Sequence, residues 1–491
     1  MWSEPTVGPQ SHDTRRGGHS ADETLKWMSH DMTTPNGNHM HTVDLETMKL
    51  REQVFEYARR RMNYDPPPLD GPKTISQLRQ EVPETVTEEG LGGLEALNLF
   101  ENVLAEATIS NDHPNYLSFI PCAPTEAATL FDLIVSASTI YGGSWMEGAG
   151  AVYAENQVLE WLAREAGLPE GAGGVFVQGG TLGNLSALVA ARHTATEALK
   201  ASGKAVPTRW RFACSSEAHS SLKAAARVMD VDIVPIPVNA EGRLTGQALA
   251  ETLAGDWDGI FAVVATGGTT NFGIVDELEE VGKVTKAHNV WFHVDGAYGI
   301  AAMLAPSTKH LFAGVALADS FIVDPHKWLF APFDACALVY RDPELGRVTH
   351  TQHAEYLDAL ENPEEWNPSD YAYNLTRRPR GLPLWFSLAT YGVSAYREAI
   401  EQNIQLAYKI ADEIRRRPDL ELVRDPQLSV VVFVKKGWTL EDYTKWSNKL
   451  LADGIGFVVP SSHKGEPNTR FAIVNPRTTY ESLVQILDTM V

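Results

Sequence analysis

An α/β fold built on a mostly parallel central sheet is predicted by three features of the sequence. The chain has 491 residues and is 44% hydrophobic, enough to bury a large core and to divide into two or three domains. From about residue 172, short β-rich runs alternate with helical stretches, the order of a layered α/β domain. Several of those runs are apolar along their whole length, the habit of strands covered on both faces by crossover helices.

The elements follow in chain order. Residues 1 to about 40 are rich in Gly, Ser, His, Asp and Thr, with too few large apolar groups to offset the entropy of ordering, so a mobile N-terminus is expected. A helical period runs through "DLETMKLREQVFEYARRRMNY" (44–64), "DPPPLDGP" breaks it, and a second helix is expected near 92–108. Together these form an N-terminal helical arm, with a domain boundary expected at 110. The large domain, expected over 111–395, takes its strands from "GVFVQ", "RFACSS", "VDIVPIPV", "DGIFAVVAT", "NVWFHVD", "DSFIVD" and "ACALVYR". A helical pattern at about 383–416 leads into "LSVVVFVKK", "LEDYTKWSNKLLADG", "RFAIVNP" and "YESLVQILDTM", read as a small C-terminal α/β domain over 396–491.

Composition narrows the partners. With 41 basic and 63 acidic side chains the formal charge is −22, which disfavours nucleic acid and anionic lipid surfaces. The three cysteines, Cys122, Cys214 and Cys336, form no CxxC pair, so neither a disulfide framework nor a thiolate metal cage is expected. No apolar run reaches the roughly 18–20 residues that span a bilayer, and the first twenty residues lack the apolar core of a signal peptide; a cytoplasmic setting is expected.

In open α/β sheets ligands gather at the carboxyl ends of the strands, so the residues just beyond each strand carry the functional reading. In "VQGGTLGNLSALVAARHTATEAL" two glycines and Thr181 lead directly into a helix, a place where free N–H groups and the helix dipole can hold an anion; a tight turn with a helix cap is the plainer alternative. Asp295 in "FHVDGAYG" ends an apolar strand and needs a partner there, either a protonated ring nitrogen or an internal cap or salt bridge. His293 makes "HVD" a conceivable metal pair without a third ligand at suitable spacing. Lys327, at the seam of "FIVDPHKWLF" with Trp328 beside it, is read as an amine whose pKa is depressed by apolar surroundings, suited to Schiff-base formation; a snorkelling structural lysine is the alternative. An anion site, a strand-end carboxylate and a strand-end lysine together match the needs of pyridoxal 5'-phosphate.

With "DPHKWL", "HVDGAYG" and "EAHSS", supported by "HPNYLSFIP" and "RFAIVNPRTT", the chain resembles the group II pyridoxal-phosphate-dependent amino acid decarboxylases, from about residue 45 to its end. The resemblance implies the aminotransferase-like fold (fold type I), a homodimer with sites at the subunit interface, and decarboxylation of an L-amino acid, aromatic by preference, through a Lys327 aldimine and a quinonoid intermediate. It also implies roles residue by residue. Lys327 would bear the cofactor, Asp295 would partner the ring nitrogen, His219 would stack on the ring and Ala297 would pack on its other face. Thr270 would lie near the cofactor, and His326, Gly180 and Thr181 would hold the phosphate. Tyr356 in "HAEYLDALENPEEW" matches a loop tyrosine that returns the proton to Cα, being protonated at neutral pH.

Phe119, Cys122 and Phe333 match substrate-pocket positions of aromatic-acid members, while Asn111 and Gly143 stand where those members carry bulky aromatics, implying a roomier or more polar pocket. Asp324 replaces an asparagine and is expected near the phosphate, acceptable if it turns away or bonds to His326. His350, His353 and Glu355 suggest metal ligands only superficially, since the sequence after them reads as a loop; no metal is expected. The rival readings are a decarboxylase of an acidic or other amino acid, an aminotransferase with Arg470 as carboxylate clamp, a decarboxylating aldehyde synthase, and a scaffold that has lost its chemistry.

Overall fold

The computed structural model describes residues 39–41, 43–353 and 365–491. Most of the segment expected to be mobile, and Tyr356 and Glu355, lie outside these residues. The described chain groups into two compact units, one holding residues up to 64 with 73–107, the other residues 65–72 with 108–491. The first unit is helical. Asp44 caps the helix Leu45–Met62 by accepting from the Thr47 N–H at 2.8 Å, and Thr74 with Gln77 forms a capping box on Ile75–Glu81. The helix Gly93–Leu99 runs on through a π turn at Phe100–Leu104 and a 3-10 turn at Ala105–Ala107.

The second unit is built on a seven-stranded sheet: β1 (Gly173–Val177), β2 (Arg211–Ser215), β3 (Asp232–Ile236), β4 (Ile260–Thr266), β5 (Trp291–Asp295), β6 (Ser320–Val323) and β7 (Cys336–Tyr340). Their spatial order is β1-β7-β6-β5-β4-β2-β3. Pairing from β3 to β6 is parallel, and β7 runs antiparallel between β6 and β1. All seven strands coincide with the runs expected from sequence. β4, β5, β6 and β7 have no exposed residue, because helices cover both faces. At the β1/β7 edge a Cβ on Gly174 would stand 1.8 Å from the Leu338 carbonyl oxygen, so only glycine permits that approach.

A second sheet is wholly antiparallel, in the order β10 (Pro460–His463), β11 (Glu466–Ala472), β9 (Val430–Lys435), β8 (Leu420–Leu422). The helix Leu382–Arg416, bent at Gly392, joins the two sheets and passes through the expected boundary at 395/396. Its buried stripe at Ile400, Ile404, Ala407, Ala411 and Ile414 has helical spacing. Ile400 and Ile404 enter the core under the large sheet, whereas Ala407, Ala411 and Ile414 pack with Phe433 and Phe471 of the small one.

One buried ion pair ties several segments together. Arg377 lies 2.8 Å from the Glu155 carboxylate, with both side chains about 3% exposed or less; Arg377 also donates to the Gly142 and Phe176 carbonyls, and Glu155 accepts from the Gly381 N–H at 2.7 Å. Removing one partner leaves an uncompensated buried charge. We expect Arg377→Ala to lower the unfolding free energy in urea by about 3–5 kcal/mol; a change within experimental error would show that the pair is not a structural anchor.

Candidate active site

Strand ends β1, β2, β4, β5 and β6 open into one cleft of about 750 Å³. From the first strand, Gly179 begins the helix Gly180–Ala201, and no side chain caps it, so its first N–H groups face the cleft unclaimed by a cap. Thr181 is therefore not the cap but an exposed residue of the first turn. A Cβ on Gly180 would lie 3.2 Å from Ala297 Cβ, Asp324 Oδ2 and Ile322 Cδ1, so this glycine is set close against the ends of β5 and β6.

β2 leads to His219, which caps the helix Ser220–Met229: its Nδ1 accepts from the Ser221 N–H at 3.2 Å and lies 2.9 Å from Ser221 Oγ. Beyond β4, Thr270 offers its carbonyl to Arg470 Nη1, and Arg470 Nη2 donates to the Phe119 carbonyl at 3.3 Å. Arg470 is buried, which holds its pKa down, and these backbone contacts weaken its reading as a free carboxylate clamp.

Asp295, at the end of β5 and 5% exposed, accepts from Asn184 Nδ2 at 2.9 Å and from the Ala297 N–H at 3.2 Å. Both of these donors are neutral, and the cation that interacts with Asp295 is Lys327. Behind it, His293 is buried with both ring nitrogens occupied, Nε2 by Asn184 Oδ1 at 2.9 Å and Nδ1 by Ser320 Oγ at 2.8 Å. Burial pushes its pKa down to about 4, so it is neutral at pH 7. Both nitrogens serve this network, which removes the metal-pair reading of "HVD".

Beyond β6, Asp324 precedes the one-turn helix Pro325–Trp328, and Lys327 Nζ lies 2.9 Å from Asp324 Oδ2 in i,i+3 spacing. Here the sequence expectation is corrected. Burial alone would pull the amine pKa down, but Asp324 at hydrogen-bond distance, aided by Asp295, raises it above the ordinary lysine value, and the amine is held as ammonium. Asp324 also lies 3.8 Å from His326 Nε2 and beside the buried Cys336 thiol, whose pKa burial and this carboxylate drive up. His326 is turned by Nδ1 toward the Ala335 backbone, 2.7 Å from its carbonyl oxygen. Trp328 is fully buried, stacked on Tyr298 with centroids 5.2 Å apart and donating to Asn403 Oδ1 at 3.0 Å, which fixes the turn carrying Lys327.

The expected residues Gly180, Thr181, His219, Thr270 and Asp295 all line this cleft. So do Ala297, His326, Lys327, Phe119 and Phe333. Cys122 does not: it is buried with Sγ donating to the Ala331 carbonyl at 3.1 Å, while Asn111 Oδ1 accepts from its N–H at 2.7 Å. Asn111 thus pins that turn and is not among the residues lining the cleft. Gly143 lies against the Tyr141 ring, where a Cβ would stand 2.3 Å from the hydroxyl, and likewise lies outside the cleft lining. His350 Nε2 donates to the Ser186 carbonyl at 3.1 Å. Asn184 and Ser221 were missed by sequence reasoning, although a lone asparagine one turn inside an Ala/Leu-rich helix was a readable signal.

The residues present fit a group with an anion at one end and a protonated ring nitrogen at the other: an uncapped helix N-terminus and close-set glycines face one part of the cleft, and Asp295 another. A profile described as "Pyridoxal-dependent decarboxylase conserved domain" matches residues 76–436. The chain belongs to the pyridoxal-dependent decarboxylases. This decarboxylase is 32% identical over 425 residues to the aromatic-L-amino-acid decarboxylase of Bacillus atrophaeus, covering 84% of this chain and 87% of that one. It is 27% identical over 391 residues to the L-2,4-diaminobutyrate decarboxylase of Acinetobacter baumannii, covering 75% and 76%. Its fold matches the structure of Oryza sativa TDC with PLP and tryptamine at a TM-score of 0.81, with 26% identity and coverage of 91% and 96%. The decarboxylase is accordingly a PLP-dependent carboxy-lyase acting on an amino acid. No helix among the described residues is long and apolar enough to cross a membrane.

The ion pair at the end of β6 is open to measurement. With Asp324→Asn the largest influence left on Lys327 is burial, so in cofactor-free protein we expect its amine pKa to fall and peptide-resolved acylation of Lys327 to begin at lower pH than in the cofactor-free parent. An unchanged onset would mean that Asp324 does not govern the amine.

Proposed function

We propose that this chain decarboxylates an L-amino acid with a ring-bearing side chain, releasing carbon dioxide and the amine. The observation that carries the reading is the 32% identity, over most of both chains, to an aromatic-L-amino-acid decarboxylase. The two half-exposed phenyl rings of the cleft, Phe119 at 57% and Phe333 at 53%, support it as apolar walls for a planar side chain. When bound, pyridoxal 5'-phosphate supplies an aldehyde that binds an amine and a protonated ring that accepts the electron pair left by the departing carboxylate.

On this reading Lys327 Nζ is the attachment point, and Asp295 keeps a proton on the ring nitrogen. His219 and Ala297 bound the ring from either side, with Thr270 nearby, while Gly180, Thr181 and His326 hold the phosphate. Tyr356 returns a proton to Cα. Because Asp324 stabilises the protonated amine, Lys327 must pass its proton on before it can act as a nucleophile.

A second reading has its own support. Glu217 and Asp334 add carboxylates to the cleft, suited to a substrate with a second amine, and a diaminobutyrate decarboxylase is among the relatives. Decarboxylation should be assayed with tryptophan, tyrosine, DOPA, phenylalanine, 2,4-diaminobutyrate, glutamate and aspartate. We expect the aromatic substrates to give the highest kcat/KM, with amine and carbon dioxide released in equal amounts. A preference for diaminobutyrate supports the second reading, ammonia with peroxide an aldehyde synthase, and amino transfer without gas release an aminotransferase.

We also propose that the enzyme works as a homodimer. Leu130, Leu133 and Ile134 on the helix Glu126–Ala137, and Met146 and Tyr153 on Trp145–Glu165, are 41–61% exposed, and a second copy would cover them. We expect light scattering to give twice the chain mass, reduced to one chain mass in Leu133→Glu/Ile134→Lys; a monomeric parent protein would refute this.

A further inference from the structure

Asn184 sits at the branch point of a buried hydrogen-bond network whose ends are chemically unambiguous. At one end Trp291 Nε1 can only donate, and it donates to Ser320 Oγ at 2.9 Å. At the other end a carboxylate can only accept, and Asp295 Oδ2 lies 2.9 Å from the Asn184 amide. The bonds between follow in order. Ser320 turns its proton to His293 Nδ1 at 2.8 Å, and neutral His293 donates from Nε2 to Asn184 Oδ1 at 2.9 Å. Asn184 is thereby held with its nitrogen toward Asp295; the flipped amide would set oxygen against carboxylate on one side and N–H against N–H on the other.

The second proton of that nitrogen goes to Ser221 Oγ at 3.0 Å. The Ser221 backbone N–H donates to His219 Nδ1 at 3.2 Å, so that nitrogen is an acceptor, and the Ser221 hydroxyl, which accepts from Asn184, directs its own proton to it at 2.9 Å. His219 Nδ1 is thus a double acceptor. Asn184, Ser221, His293 and Ser320 are all under 5% exposed, so water does not compete for these bonds.

We propose that Asn184 is a positioning residue that joins Asp295 and His219 through one polarised chain and fixes His219 as the tautomer protonated on Nε2. A neutral imidazole of that form offers a hydrogen-bond donor on the side of the ring away from Ser221, in the cleft wall. It can bond an oxygen of a ligand there without adding a charge beside Lys327. This arrangement holds whichever amino acid is the substrate.

The test is the 15N NMR spectrum of the full-length protein labelled in histidine, with His219 assigned by its loss in His219→Gln and recorded at a pH where the ring is neutral. We expect Nε2–H in the parent protein. In Asn184→Ala, Ser221 is freed to donate elsewhere and only the longer backbone contact remains on Nδ1. The ratio of Nδ1–H to Nε2–H should rise about fivefold, the worth of one neutral hydrogen bond. Ser221→Ala cuts the same branch at its other end, keeps the backbone contact, and carries the test if Asn184→Ala does not fold. A parent protein protonated on Nδ1, or a ratio unmoved by the folded variants, overturns the proposal. Neither outcome depends on turnover, so failure here is distinct from failure of the proposed reaction.

Discussion

Lys327 Nζ and Asp324 Oδ2 meet at 2.9 Å beyond a strand that has no exposed residue, and the site depends on that contact being tolerated. A lone charge at such a place would be expelled or neutralised. Paired, the two charges can stay, and the one-turn helix between them sets the amine at the floor of the cleft. Trp328, fixed by Tyr298 and Asn403, keeps that helix from relaxing away from the sheet. The contact also sets the state of the amine: the carboxylate outweighs burial and favours the ammonium form.

Parallel pairing explains why these groups converge. Strands β2, β4, β5 and β6 run in one direction, so their carboxyl ends deliver His219, Thr270, Asp295 and Lys327 to the same edge of the sheet. Uncharged polar atoms complete the arrangement. Asp295 is satisfied by amide donors and backed by a neutral histidine, which leaves its charge available to the cleft. The network through Asn184 and Ser221 links that carboxylate to His219, so two residues expected to face one cofactor share a single scaffold.

Much of this was legible from residue order because the buried strands are short, wholly apolar and separated by strong helix and turn signals. Residues at their ends could then be named without knowing how the strands pair. β8 and β10 were missed for physical reasons: β8 has three residues, and "PSSH" in β10 is a polar edge strand without an apolar pattern. The helix Trp145–Glu165 carries glycines at 148 and 150 in its first turns, Gly148 out of helical geometry, which blurs its period. Cys122 was placed in the pocket by analogy, but its thiol is turned to the Ala331 carbonyl. The state of Lys327 was misjudged because an apolar run was weighed without the carboxylate three residues earlier, which one helical turn brings onto the amine.

On the proposed reading pyridoxal 5'-phosphate is attached at Lys327. Borohydride reduction of the cofactor-loaded protein, followed by peptide mapping, tests it most directly. We expect a single reduced pyridoxyl adduct, on the peptide containing Lys327; an adduct on another lysine, or none with cofactor bound, would overturn the assignment.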